Sequence, residues 1–235
     1  MKIIIAENCG FCYGVKRAVE MALKTVKDKS KVATLGPLIH NPQMIELLAK
    51  KGVGCLDSLE NFPEGSTVIL RSHGVGPNIY EQAKAMDLTV VDATCPNVLS
   101  AQKRVRQLAD EGYLPIIIGE KKHPEVQSIL AWAGKQGCVV ESIDDIKDVP
   151  YAENYGVVVQ TTFELEKFEK ILEELQSNRK GQYKVERTIC NATAKRQTSA
   201  VELAKLADVV FVIGGRNSAN TRHLYDIVKE ICNKT

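Results

Sequence analysis

Three cysteines occupy the same kind of position in this sequence, after a β-branched run and before a helix-like stretch. They are Cys12 in AENCGFCYGV, Cys95 in VVDATCPNV and Cys190 in VERTICNATAKR. Counting 28 residues forward from each cysteine reaches a polar residue in another junction, namely His40, His123 and Ser218. The shared offset indicates an internal repeat.

A second polar junction follows in the first two copies of the repeat. His73 lies 33 residues after His40, and Thr161 lies 38 residues after His123. The matching position in the third copy would fall between 251 and 256, whereas the sequence ends at Thr235. We therefore predict three units, 1–95, 96–190 and 191–235, of which the third is cut short.

The elements that would position these residues alternate along the chain. Short β-branched runs, including IIIA at 3–6, TVILR, PIIIG, YKVER and VVFVI at 209–213, are each followed by an amphipathic pattern. This alternation is typical of βα units with mostly parallel sheets. The predicted fold is α/β, with three repeated units about a pseudo-threefold axis in a cloverleaf. Such an axis would bring the three cysteines together at the centre.

Three converging thiolates suit an iron–sulfur cluster. A structural zinc site usually takes paired C-x-x-C ligands and four donors, whereas cysteine thiolates hold iron–sulfur clusters. With three thiolates, one iron of a 4Fe-4S cluster would remain open to a substrate oxygen. The competing interpretation is a redox dithiol or half a zinc knuckle formed by Cys9 and Cys12. Cys9, however, has no counterpart in the other two units.

The remaining cysteines fall in strand or helix patterns. Cys55, Cys138 and Cys232 are expected to be packing residues, because free cysteine often acts as a small buried hydrophobe.

The other junctions resemble a binding site for a small anion. Each polar residue is expected immediately before a helix, where free N–H groups and partial positive charge favour anions. A phosphate ester or diphosphate would be the natural ligand. A single histidine is as readily a capping or surface residue, but three in repeat-related junctions favour binding. His223, inside the last helical pattern, is left outside this site.

Glu125 follows His123 at the first turn of a predicted helix. A carboxylate beside an anion pocket is unfavourable when ionised, so its pKa should rise and it could deliver protons. Taken alone, it would be an ordinary first-turn glutamate favoured by the helix dipole.

Composition restricts the partners. The 31 basic and 29 acidic side chains nearly balance, and no block of like charge suggests nucleic-acid binding. The longest apolar runs are too short for a membrane span or a signal peptide. We therefore expect a cytoplasmic protein, in which thiols stay reduced.

Together these motifs closely resemble those of the 4-hydroxy-3-methylbut-2-enyl diphosphate reductase family, in order from residue 3 to about residue 222. The motifs are GFCYGVKRAVE, LIHNPQ, RSHGV, DATCPNV, HPEV, QTT, TICNATAKRQ and GGRNSAN. The resemblance implies a three-lobed αβ protein around a 4Fe-4S cluster with Cys12, Cys95 and Cys190 as ligands. It also implies removal of an allylic hydroxyl as water, with two electrons and two protons, to give isopentenyl and dimethylallyl diphosphates.

The same resemblance implies roles for the polar residues. His40, His73 and His123 would bind the diphosphate with Ser218 and Asn220. Glu125 would be the proton donor, and Thr161 would orient the substrate hydroxyl and Glu125. A ferredoxin or flavodoxin would supply electrons. Two departures from the family pattern concern the diphosphate pocket: Ala219 stands where many members have a second serine, and the family continues with a further serine-bearing loop.

Two alternatives remain open at the level of the sequence. One is a non-redox hydro-lyase with a three-cysteine 4Fe-4S cluster, which would need no reductant. The other is a zinc-binding module without catalysis, which would be colourless and contain zinc instead of iron.

Overall fold

The computed structural model describes residues 2–216 and 218–235. Its first half forms a four-stranded parallel sheet in the order β2-β1-β3-β4. The strands are β1 Val32–Leu35, β2 Gly54–Leu56, β3 Thr67–Leu70 and β4 Thr89–Asp92. Helix α1 (Tyr13–Asp28) precedes this sheet, and α2 (Pro42–Lys50) and α3 (Pro77–Ala85) connect its strands. Both central strands are buried along their whole length, which explains their continuous apolar runs.

The second half repeats this arrangement. Its sheet has the order β6-β5-β7-β8 and is also parallel throughout. The strands are β5 Leu114–Ile118, β6 Cys138–Val140, β7 Asn154–Val159 and β8 Gln182–Glu186. Helix α4 (Pro96–Asp110) precedes it, and α5 (Pro124–Trp132) and α6 (Leu165–Asn178) connect its strands. Even the short 3₁₀ turns recur before the third strand of each unit, at Leu59–Asn61 and Ile143–Asp148.

These two sheets confirm the α/β class and the parallel repeat that the sequence predicted. A third set of elements begins with α7 (Asn191–Ala204), which follows β8 as α4 follows β4, and ends with α8 (Ala219–Ile231). The two helices pack together around Ala204, Val210, Val228 and Cys232. The boundaries at 95 and 190 stay predictions. The segment before α1 contacts α7, since Asn8 donates a hydrogen bond to Ser199 and Arg196 donates one to the Gly10 carbonyl.

Two of the predicted strands are wrong. Residues 3–6 and 209–213 are not assigned to strands. Most of their large apolar side chains are exposed, with Ile3 at 77% and Ile213 at 93% of full exposure, although Val210 is buried against α7 and α8. A β-branched run forms a strand only where a neighbouring strand can complete its backbone hydrogen bonds. In the part of the chain described by the structure, neither run has that ladder.

No helix among residues 2–216 and 218–235 is both long enough and apolar enough to cross a membrane.

Candidate functional site

Three histidines from three different loops meet at one point. The ring centroids of His40 and His73 lie 4.1 Å apart, and those of His123 lie 5.3 Å from His40 and 5.6 Å from His73. Each loop follows a central strand, namely β1, β3 or β5. Carboxyl ends of parallel strands are where α/β proteins place ligands, so both sheets contribute to one site.

Local helix chemistry positions two of these imidazoles. Asn41 caps α2 by accepting a hydrogen bond from Met44 N, and Pro42 begins the helix directly after it. His123 itself caps α5, because its Nδ1 accepts a hydrogen bond from Glu125 N at 3.1 Å. The neutral ring therefore carries its proton on Nε2, which is then free to donate to a ligand.

His73 differs from the expectation that every junction residue immediately precedes a helix. Helix α3 begins at Pro77, four residues later, and α6 likewise begins at Leu165, four residues after Thr161. Instead, His73 lies in a tight loop whose Gly74 has a φ of 75°. A side chain at Gly74 would also collide with Gln102, so only glycine fits this turn.

The histidine cluster lacks positive charge of its own at neutral pH. Burial is the main cause that lowers the pKa of His40, holds that of His73 well below its usual value, and lowers that of His123 to about 4. His40 Nε2 and His73 Nδ1 are buried without a hydrogen-bond partner within the described residues. Polar atoms in that state are suited to a ligand that supplies the missing partners.

Glu125 is the buried acid beside this cluster. It is 2% exposed. Thr161 donates a hydrogen bond to each carboxylate oxygen, from its backbone N to Oε1 at 2.6 Å and from its Oγ1 to Oε2 at 2.9 Å. Burial raises the pKa of Glu125 to about 7, although both hydrogen bonds from Thr161 oppose the shift. The expected rise is confirmed, but its main cause is burial and not a neighbouring anion.

The three repeat-related cysteines occupy equivalent positions in the structure. Cys12, Cys95 and Cys190 are the N-cap residues of α1, α4 and α7, and none of their side chains makes a capping hydrogen bond. An amino end of a helix favours the thiolate form of cysteine, which is the form that ligates metals. At Cys95 the backbone N–H groups of Asn97 and Val98 act in that direction, but burial outweighs them and raises the pKa of the thiol. All three side chains are partly exposed.

The backbone amides of Cys95 and Cys190 are each hydrogen-bonded to a polar junction. Cys95 N donates a hydrogen bond to Ser72 O, beside His73, and Cys190 N donates one to Thr161 O, both at 3.0 Å. These bonds continue the parallel pairing of β3 with β4 and of β7 with β8. They place Cys95 beside the His73 loop and Cys190 beside Thr161, which hydrogen-bonds to Glu125. The arrangement agrees with the offset counted in the sequence.

Helix α1, which begins directly after Cys12, packs against the loop that carries Cys95. A methyl group placed on Gly14 would lie 2.5 Å from the Cys95 sulfur, and Arg17 of α1 donates a hydrogen bond to Thr94 O at 3.0 Å. The sequence analysis missed both contacts, since the spacing of Gly14 and Arg17 carries no chemical signal. Among residues 2–216 and 218–235, no group of three or more His, Cys, Asp or Glu side chains is arranged to hold a single metal ion.

The remaining cysteines divide by burial. Cys138 is half-buried in β6 and Cys232 is buried after α8, as expected for packing residues. Cys55 on the edge strand β2 is exposed, so the prediction of packing is wrong there. Cys9 is exposed as well.

Helix α8 brings Ser218 and Asn220 toward the second unit. Ser218 caps this helix by accepting a hydrogen bond from Thr221 N, and Asn220 lies in its first turn. Glu120, three residues before His123, forms ion pairs with Arg222 and with His223 Nε2, the latter at 2.9 Å. The charges of Arg222 and Glu120 also affect the pKa values of His40 and His123, so this bridge lies near the histidine cluster.

Sequence reasoning missed the role of Glu120 and left His223 out. His223 does not join the three-histidine cluster. It holds α8 in place through Glu120 and packs edge-on against Phe163, with ring centroids 5.7 Å apart. A separation of 103 residues carries no periodic signal, although two adjacent basic residues on a helix could have suggested an acidic partner.

Comparisons with known proteins agree with this geometry. A model of the LytB protein family matches residues 3–235. A 4-hydroxy-3-methylbut-2-enyl diphosphate reductase of Trichlorobacter lovleyi is 44% identical over 235 residues, which cover all of this chain and 83% of that protein. The reductase of the same name from Aquifex aeolicus is 47% identical over 233 residues, covering 97% of this chain and 80% of the relative.

Solved structures show the same likeness. One is described as (E)-4-hydroxy-3-methyl-but-2-enyl diphosphate reductase, the terminal enzyme of the non-mevalonate pathway. It is 46% identical with a TM-score of 0.77, and the match covers 99% of this chain and 84% of the other. An E-1-hydroxy-2-methyl-but-2-enyl-4-diphosphate reductase from Plasmodium falciparum has a TM-score of 0.89 at 30% identity, covering 94% and 71%.

Proposed function

Because this chain belongs to the LytB protein family, we propose that it is a 4-hydroxy-3-methylbut-2-enyl diphosphate reductase. It removes the allylic hydroxyl of its substrate as water, consuming two electrons and two protons, and forms isopentenyl and dimethylallyl diphosphates. The observation that carries this proposal is the buried carboxyl of Glu125, held by Thr161 and adjacent to a cluster of three uncharged histidines.

The donor set fits a 4Fe-4S cluster. Cys12, Cys95 and Cys190 present thiols at three helix amino ends, and no side-chain cap competes for those ends. Thiolates are the usual ligands of such clusters. When bound, the cluster would supply the electrons and an open iron for the substrate oxygen.

The protein's own residues supply the protons and the positioning. Glu125, with a pKa of about 7, holds a proton on a substantial fraction of molecules at neutral pH and can still release it. A leaving hydroxyl needs that proton, because hydroxide is a poor leaving group. Thr161 fixes both carboxylate oxygens and so restricts the direction in which the proton is delivered.

The diphosphate would occupy the histidine cluster. Imidazole N–H groups of His40, His73 and His123 and the amino ends of α2, α5 and α8 favour an anion at this position. Ser218 and Asn220 lie at the amino end of α8 and would add side-chain donors. Binding the diphosphate fixes the position of the reacting carbon. In well-oriented reactions such positioning lowers the activation free energy by several kcal/mol.

A ferredoxin or flavodoxin would deliver the electrons singly. No nucleic acid or membrane would take part.

Anaerobic purification with iron and sulfide analysis tests the cluster. We expect a brown protein with about four irons per chain. Colourless protein containing zinc would support the zinc module instead, and turnover without any reductant would support a hydro-lyase.

Glu125→Gln tests the proton donor directly. The amide fills the same space but cannot release a proton, so substrate should still bind while reduction falls by a factor of about 10²–10⁴. Glu166→Gln is the matched control, because Glu166 also lies in the first turn of a helix but is exposed. Undiminished reduction by the Glu125 variant would remove this residue from the mechanism.

A further inference from the structure

A separate cavity of about 400 Å³ opens at the carboxyl ends of β1 and β3. None of the cysteines, histidines or acids assigned above lines it. In the order β2-β1-β3-β4, the chain leaves β1 toward one edge of the sheet and β3 toward the other. The crevice between two such strands is where parallel sheets characteristically bind ligands.

Arg71, at the end of β3, is the one cation among the described residues that line this cavity. Its Nε is buried without a hydrogen-bond partner, and the side chain forms no ion pair within residues 2–216 and 218–235. Partly buried guanidinium groups are normally paired, because removing the charge from water is costly. An arginine left unpaired at a cavity wall is therefore suited to bind an oxyanion from solution. Its planar guanidinium group can donate two parallel hydrogen bonds to such a ligand.

The amino end of α3 reinforces this preference. Gly76 is both the N-cap of this nine-residue helix and part of the cavity wall, and it has no side chain with which to cap the helix. The helix therefore contributes uncapped N–H groups and partial positive charge on the same side as Arg71. Asp57 also lines the cavity, but it is exposed to solvent.

The rest of the wall divides by polarity. Leu35, Val75 and Ile79 form an apolar part, whereas Gln82, Gln127 and Ser128 are polar. A ligand with an anionic head and a short hydrocarbon body matches both parts.

We propose that this cavity is a second ligand site, in which Arg71 binds the oxyanion head of a small phosphate ester and the apolar wall holds its hydrocarbon body. Its far wall reaches the main site: Ser128 Oγ lies 2.9 Å from the His73 carbonyl and 2.8 Å from the Glu125 carbonyl. A ligand in the cavity would therefore contact Ser128, whose hydroxyl is hydrogen-bonded to the backbone of His73 and Glu125.

Calorimetric titration of the anaerobically purified protein with butyl phosphate, inorganic phosphate and butyrate tests the site. A His40→Ala background weakens the histidine cluster, so the remaining binding reports the cavity. In that background we expect butyl phosphate to bind more tightly than either phosphate or butyrate. Arg71→Gln should weaken it about tenfold or more, since hydrogen bonds to charged groups dominate such contacts.

Three further variants make the test specific. Arg71→Lys should retain part of the affinity, because it keeps the charge but not the fork. Gln82→Trp, at an exposed helix position, should block the cavity without disturbing the core. Arg106→Gln, which removes an exposed arginine paired with Asp110, should leave binding unchanged.

Two results would overturn the proposal. Unchanged affinity in both Arg71→Gln and Gln82→Trp would exclude the cavity as the binding site. Equal affinity for inorganic phosphate and butyl phosphate would reject the ester and leave a simple anion site. Because the readout is binding and not turnover, neither result depends on the proposed reductase activity.

Discussion

Glu125 shows how the surroundings of one side chain change its acidity. Its type and place in the first turn of α5 are ordinary, but complete burial and the two hydrogen bonds from Thr161 make it an acid poised near neutral pH. The cost of that arrangement should be visible in stability as well as in catalysis.

Stability should therefore depend on pH through Glu125. Below the usual pKa of 4.5 this carboxyl is protonated in both folded and unfolded chains; as the pH rises to about 7, the unfolded chain ionises first and stability falls. The gap between these pKa values corresponds to about 3 kcal/mol. The free energy of unfolding can be measured with urea, followed by the fluorescence of Trp132. Between pH 4.5 and 8, the stability of Glu125→Gln should rise by that amount relative to the unmodified protein.

Glu166→Gln is the control for this measurement, because an exposed first-turn glutamate should produce no such trend. A Glu125→Gln difference that stays constant across the pH range would contradict the assigned pKa.

Thr161 should tune the acid. Thr161→Val removes the hydroxyl donor that favours ionised Glu125, so the pKa of Glu125 should rise further. We expect the alkaline limb of the kcat/KM profile of Thr161→Val to move to higher pH and its turnover to fall. Thr161→Ser keeps the hydroxyl, so its pH profile and turnover should match those of the unmodified protein. If valine and serine variants gave the same profile, Thr161 would have no positioning role.

At the scale of elements, helix amino ends carry the chemistry. Cysteines precede α1, α4 and α7 as N-cap residues, and histidine or serine caps α5 and α8, so these five side chains are fixed at helix amino ends. His73 and Thr161 lie instead in loops, four residues before α3 and α6 begin. Helix α8 depends on a further contact, because its place against the second unit rests on Glu120.

Glu120→Gln should loosen α8. The amide cannot pair with Arg222 and His223 as a carboxylate does, so the first turn of α8 should lose its fixed position. We expect KM for the diphosphate substrate to rise severalfold with a smaller change in kcat. Glu111→Gln, an exposed residue paired with Lys184, is the control. A change confined to kcat would contradict a role in substrate binding.

At the scale of the whole molecule, the thiols depend on contacts between distant helix ends. Gly14 of α1 packs against the sulfur of Cys95, the N-cap of α4. Any larger side chain must displace either the helix or the thiol.

Gly14→Ala should therefore lower cluster content without unfolding either sheet. Iron and sulfide per chain should fall well below those of the unmodified protein, while far-ultraviolet circular dichroism stays the same. Lys16→Ala on the exposed face of the same helix is the matched control. Full iron content in Gly14→Ala would show that the sulfur has room to move.

Much of the fold and the site could be read from local patterns. The recurring offset predicted three units, of which two contain the complete parallel sheets that the strand–helix alternation indicated. It also located Cys12, Cys95 and Cys190 at equivalent helix starts, because a parallel repeat imposes similar chain lengths between equivalent junctions. Proline and Asn41 marked helix starts correctly, since those preferences act within a few residues. The strands predicted at 3–6 and 209–213 were wrong, because a strand also requires a partner strand and no local sequence pattern shows whether one is present.

Tertiary contacts decided the rest. Burial of Glu125, the meeting of His40, His73 and His123, and the bridge from Glu120 to α8 all join residues distant in the chain. Residue types and spacing specify which groups are available and which end of an element bears them. Their pKa values and partners depend on desolvation and distance, which exist only once the separate units pack together.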